Sequence, residues 1–120
     1  MQNNNNLALY NKLYGLTKYN YVMVKNFTKE YKFTIGSDIC VLSWACLDLL
    51  IEVNILKNKD KHPKLSLLSG AFDKLKLRIR LAQEIKLIST GQFAHLQENY
   101  LIEIGRMIGG FLNWAEASKE

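Results

Sequence analysis

The chain has 120 residues, 48% of them hydrophobic and 22% charged, which fits one domain with its own core and excludes a disordered polymer. Its single proline argues for long uninterrupted elements. The net charge of +5 is segregated: residues 12–32 carry +4 and residues 57–86 carry +6, while 33–56 and 87–120 together carry −5, which sets a basic side able to attract polyanions against an acidic one.

The N-terminus, "MQNNNNLAL", has neither a basic n-region nor a continuous apolar h-region, so it does not read as a secretory signal. Residues 1–6 read as a disordered, solvated tail. The first predicted helix spans about residues 6–26, with Leu9, Leu13, Leu16 and Met23 on one stripe and Tyr10, Tyr14, Tyr19 and Tyr21 nearby. Tyrosines suit a half-buried face or a contact with a neighbouring subunit; stacking on nucleic-acid bases is the other use open to them. "NFTKEYKFTIGSD" reads as a basic connector in which Gly36 interrupts the backbone or permits a close approach.

The second helix has the cleanest pattern. Ile35, Ile39, Leu42, Cys46, Leu49, Val53 and Leu56 recur at spacings of 4, 3, 4, 3, 4 and 3, with Leu47, Leu50 and Ile51 widening the stripe and Trp44 at its edge. Its apolar run, "ICVLSWACLDLLIEV", is broken by Ser43, Asp48 and Glu52 and falls short of a membrane span. With the absence of a signal, this points to the cytoplasm. Cys40 and Cys46, six apart on one helix, project to different sides and read as two buried free thiols.

"KNKDKHPK" breaks the periodicity as a charged loop, and Pro63 fits the first turn of a third helix from about Lys64 to Ile88. Leu65, Leu68, Phe72, Leu75, Ile79 and Ala82 form its stripe, with Leu81, Ile85 and Ile88 as a second one. Ser89 and Gln92 have the spacing of a capping box opening a fourth helix, which runs to about Ala117. Its stripe is Phe93, Leu96, Tyr100, Ile104, Met107, Phe111 and Trp114. The pattern predicts an all-α fold, an up-down-up-down antiparallel four-helix bundle over residues 7–117.

No nucleophile–base pair, paired carboxylate, phosphate-binding glycine loop or Glu-x-x-His motif is present, and His62 and His95 lack ligand partners at metal spacing. The sequence therefore predicts no enzyme, no metal and no cofactor. The sharper signal is the third helix. Lys76, Arg80 and Gln83 share one ridge and Lys74 with Arg78 a parallel one, placing cations about 6 Å apart. No compensating acid is evident on this face, which reads either as a polyanion-binding surface or as a solvated one.

"EIGRMIGGFLNW" holds three glycines in a helical pattern, at a cost of about 3 kcal/mol relative to alanine. Gly105 and Gly109, four apart, share a face that would let another backbone approach, within one bundle or between protomers, and Gly110 lies beside it.

The order of "YKFTIGSDI", an apolar second helix, "RIRLAQEIKLIS" and then "EIGRMIGG" followed by an aromatic resembles the four-helix-bundle family of the accessory variability determinant (Avd) of diversity-generating retroelements. That family also contains proteins encoded in ribosomal RNA intervening sequences. The resemblance covers about Leu7 to Trp114. One departure is Phe111 after the glycine pair, where relatives often carry Trp; Trp114 follows on the same side.

The resemblance implies ring-shaped homopentamers of four-helix protomers. It further implies a non-catalytic accessory role: binding the retroelement's reverse transcriptase and nucleic acid, and supporting cDNA synthesis from template RNA in mutagenic retrohoming. Lys76 and Arg80 match the family's basic residues. Arg106 matches a common arginine, with pairing to an acid such as Glu103, or to one on a neighbouring helix, as its structural role. The candidate nucleic-acid or polymerase contacts are thus Lys25, Lys29, Lys32, Lys74, Lys76, Arg78, Arg80 and Lys86. Gly105, Arg106, Gly109 and Gly110 are the packing candidates. A structural oligomer of the intervening-sequence branch, with no polymerase partner, is the alternative; the basic 57–86 segment favours the retroelement branch.

Overall fold

The computed structural model describes residues 2–119, with side chains from Asn6 onward. Helix α1 is Gln2–Lys25 and α2 is Lys29–Asn54, with a wide π-helical turn at Lys32–Gly36. A short 3₁₀ turn, Asn58–Asp60, leads into α3, Lys61–Glu84. Helix α4 covers 90–117 as Thr90–Leu96, a second π-helical turn Gln97–Leu101, and Ile102–Ala117. The described residues contain no strand. Each helix packs on its neighbour in the order α1, α2, α3, α4, and α4 returns to α1, giving a four-helix bundle 49 × 24 × 19 Å.

The stripes of α1 and α3 fill the core as their spacing predicts: Leu9, Leu13, Leu16 and Met23 are buried, as are Leu65, Leu68, Phe72, Leu75, Ile79 and Ala82. Each such aliphatic burial is worth about 1.5–3 kcal/mol. The capping box at Ser89 forms on both arms, Gln92 N–H donating to Ser89 Oγ at 3.0 Å and Ser89 N–H to Gln92 Oε1 at 2.8 Å. Pro63 lies in the first turn of α3, where its missing N–H has no acceptor to lose.

Several sequence expectations are corrected. Residues 2–6, read as part of a tail, lie in α1, and Met1 of that tail lies outside the described residues; adding a residue to an existing helix costs far less than starting one. Only Asn26–Thr28 connects α1 to α2, and "KEYKFTIG" is helical. This makes Lys29–Asn54 long and apolar enough in composition to cross a membrane. Its Ile39, Cys46, Leu50 and Val53 are, however, fully buried between α1 and α3. The heptad reading of α2 drifts around a straight helix: Leu42 and Leu49 are half-buried, Ser43, Leu47 and Leu50 take the core, and Ile51 faces out.

Helix α3 ends at Glu84, four residues before the predicted Ile88. Lys86 adopts a left-handed backbone (φ 68°), and its N–H donates to Gln83 O at 3.0 Å while Leu87 N–H donates to Ala82 O at 2.8 Å, closing the end as a Schellman turn. The turn buries Ile88 but leaves Leu81 and Ile85 exposed, so no second buried stripe forms.

Two polar features hold the register. Asn20, fully buried, donates from Nδ2 to Ser43 Oγ at 3.0 Å, and Ser43 Oγ donates to Ile39 O at 2.7 Å. Asn20 Oδ1 finds no partner among the described residues. Replacing Asn20 by alanine, which removes the hydrogen bond to Ser43 Oγ and empties part of the core, is expected to lower unfolding stability by about 1–3 kcal/mol in urea titration. At the other end, buried Lys61 donates from Nζ to Val53 O at 2.8 Å and ties the 55–60 turn to the C-terminus of α2; burial lowers the pKa of its ammonium.

Candidate basic interface

The topology decides which cations can act together. The C-terminus of α1, the N-terminus of α2, the C-terminus of α3 and the N-terminus of α4 meet at one end of the bundle. Lys25, Lys29, Lys32, Arg78, Arg80 and Lys86 are therefore gathered at or near that end from three helices. Lys74 sits about 15 Å along α3 from its last residue, with Lys76 a little closer.

The two ridges of α3 lie toward different flanks and meet at Arg80. Lys76 lines a hollow with Phe93 and Gln97 of α4, Arg78 lines a groove against the start of α2, and Arg80 borders both. Nor are acids lacking. Lys76 Nζ lies 3.4 Å from Asp73 Oδ1 and 5.1 Å over the Phe72 ring, and Arg80 Nε lies 3.1 Å from Glu84 Oε2. Among the described residues no ion pair engages Lys25, Lys29, Lys32, Lys74, Arg78 or Lys86. These six offer more uncompensated charge than the two ion-paired residues, although exposed helix pairs are worth only about 0.3–0.5 kcal/mol each.

The groove beside Arg78 has a volume of about 850 Å³. Tyr31, Phe33, Ile35 and Asp38 form its α2 wall, and Leu77, Leu81, Glu84 and Ile85 its α3 wall. Phe33 is 70% exposed. With Leu77, Leu81 and Ile85 also exposed, the groove presents a contiguous apolar surface.

The α1 tyrosines divide. Tyr19 is half-buried, 4.9 Å from the His95 ring and 6.0 Å from Tyr100. Tyr10 and Tyr14 are exposed and stack at 6.2 Å, with Lys18 Nζ 5.0 Å over the Tyr14 ring. Tyr21 accepts a 2.8 Å hydrogen bond at its hydroxyl from Trp44 Nε1.

Of the glycines in α4, Gly105 would bring a Cβ to 3.7 Å from Phe72, an ordinary side-chain contact, and Gly109 and Gly110 face open space. No neighbouring backbone within the bundle requires these last two. Arg106 is exposed and makes no ion pair among the described residues; Glu103 pairs instead with Lys12 at 3.2 Å. The glycines that do permit close approach lie elsewhere. A Cβ on Gly36 would stand 2.7 Å from Val24 Cγ1, and one on Gly15 3.2 Å from Tyr100.

Among the described residues no three His, Cys, Asp or Glu side chains gather as a metal cluster. Both cysteines are free; burial pushes the Cys46 thiol up to about 12 and raises that of Cys40, so neither is an activated nucleophile near neutral pH.

No curated protein and no solved structure matches the chain. A family model described as bAvd-like matches residues 7–115, from the first helix to the last. That span contains the basic end, the groove and the glycine-rich segment in the order the sequence presents them. With a four-helix bundle of the corresponding extent, the chain belongs to the bAvd-like family of accessory proteins.

Proposed function

We propose that this chain is a non-enzymatic accessory subunit of a diversity-generating retroelement. It acts as a ring-shaped homo-oligomer, of five protomers by family likeness, that binds the reverse transcriptase and holds template RNA or cDNA on its basic surface in the cytoplasm. Membership of the bAvd-like family across residues 7–115 is the observation that carries this reading. The gathering of Lys29, Lys32, Arg78 and Lys86 at one end of the bundle supports it, since phosphate backbones are held mainly by such cations. The protein would supply no chemistry; it would raise the local concentration of template at a docked polymerase.

Replacing Lys76 and Arg80 together with glutamate reverses two charges and leaves Asp73 and Glu84 without their partners. The double variant is expected to weaken co-purification with the reverse transcriptase and RNA binding in a salt titration, with unchanged helical circular dichroism and oligomer size. Unchanged binding at every salt concentration would remove both residues from the interface. Loss of template-dependent cDNA synthesis when the protein is omitted from a reconstituted reaction tests the function as a whole, and a reaction indifferent to its presence refutes it.

A further inference from the structure

We propose that a second copy of this chain docks the outer ridge of its α2 against the outer seam of α3, forming a heterologous interface. The proposal rests on the homo-oligomer reading above and adds which surfaces meet.

The ridge on α2 is Val41, Trp44, Asp48 and Ile51, continued by Ile55 at the C-cap, spaced 3, 4, 3 and 4, and every member is exposed. That spacing is the seam of a helix pair, here on the side turned away from the bundle's own core. Ile55 is 80% exposed and Ile51 50%. On α3 the outward positions Leu67, Gly70, Lys74, Leu77 and Leu81 repeat the same 3, 4, 3, 4 spacing, with Leu77 58% exposed. Two unpartnered apolar seams on one small chain exceed what a solvated surface needs.

Charge selects which seam meets which. The centre of the α2 ridge is Asp48 and the centre of the α3 seam is Lys74, neither of them in an ion pair among the described residues. Residues 33–56 contain acids and no Lys or Arg, whereas the second half of α3 is rich in both. A ridge facing a second ridge would oppose Asp48 to Asp48, and two α3 seams would oppose Lys74 to Lys74; the mixed pairing avoids both repulsions. Shape agrees. Within a protomer α2 and α3 are antiparallel, so copies standing side by side in the same sense bring ridge and seam together antiparallel. Ile51 then lies over Gly70, where even a Cβ would meet nothing within 4 Å. An interface joining two different faces leaves each copy with one of each to offer, and repetition closes a ring or runs on as a filament.

Light scattering on the full chain reads the outcome. The wild type is expected to exceed one protomer in mass; a monomeric wild type would refute the oligomer reading and the interface with it. Ile51→Glu and Leu77→Glu, at exposed positions, are each expected to yield single protomers with wild-type circular dichroism. Mixed one to one, they are expected to form a dimer and stop there, because each retains the face that the other has lost. An oligomeric wild type with either variant keeping its size overturns the ridge–seam contact and leaves the oligomer reading standing. Two monomeric variants that fail to pair show that the contact is not heterologous. Should either variant unfold, Asp48→Lys and Lys74→Asp decide: each alone is expected to weaken association at least tenfold and the double variant to restore it, and a double variant no better than the singles overturns the pairing.

Discussion

Reversal of Lys29, Lys32, Arg78 and Lys86 to glutamate is expected to abolish most of the RNA affinity while leaving the fold intact. All four lie at the same end of the bundle and none is held in an ion pair among the described residues. Each phosphate neutralised on a single strand releases about 0.7 of a counterion, so four lost contacts flatten the slope of log K against log salt by about 3. The same four reversals applied where no phosphate sits would leave that slope unchanged. Fluorescence anisotropy with a single-stranded RNA at several salt concentrations makes the measurement. A slope equal to that of the wild type would place nucleic acid on another face, and the exposed Tyr10–Tyr14–Lys18 ladder on α1 would be the next to test.

Gly36→Ala is expected to destabilise the protein by about 1–3 kcal/mol, the cost of overfilling a packed core. The added methyl would stand 2.7 Å from Val24 Cγ1, 3.2 Å from Tyr31 O and 3.3 Å from Phe27 Cδ2. Val24 and Phe27 are buried, and valine has little freedom at χ1 to move aside. Either the wide turn at Lys32–Gly36 shifts or α1 tilts away from α2. Because Phe33 and Ile35 of this turn and Tyr31 just before it wall the groove, the variant is also expected to disturb any partner that docks there. Urea unfolding with an unchanged m-value gives the stability, and a loss below about 0.5 kcal/mol would show that the turn yields freely. Gly109→Leu, facing open space within the bundle, is expected to leave monomer stability nearly unchanged.

Much of the architecture is legible in the chain because helix periodicity and end signals are local properties. The stripes of α1 and α3, the capping box at Ser89 and the proline in the first turn of α3 each depend on residues within a turn or two of one another. What escapes a periodicity reading is a change of period. In α4 the stripe passes through Leu96 and would continue at Tyr100, yet the π-helical turn at Gln97–Leu101 adds a residue, and the core resumes at Leu101, Ile104, Ile108, Phe111 and Ala115. Phe93, Tyr100, Met107 and Trp114 are left half-buried at its margin.

The candidate site divides the same way. That the chain is basic over 57–86 follows from its residues, but flank assignment depends on the rotation of α3, which is set by the neighbours it packs against. Lys76 therefore faces α4 and Arg78 faces α2, with Arg80 between the two, and the acids Asp73 and Glu84 fall within reach of Lys76 and Arg80. By itself the sequence determined an all-α chain of four amphipathic helices with segregated charge and the motifs of its family. Tertiary structure alone decided which cations share an end, which glycines are crowded, and which apolar residues remain uncovered, because those are distances between helices and no spacing along one helix encodes them.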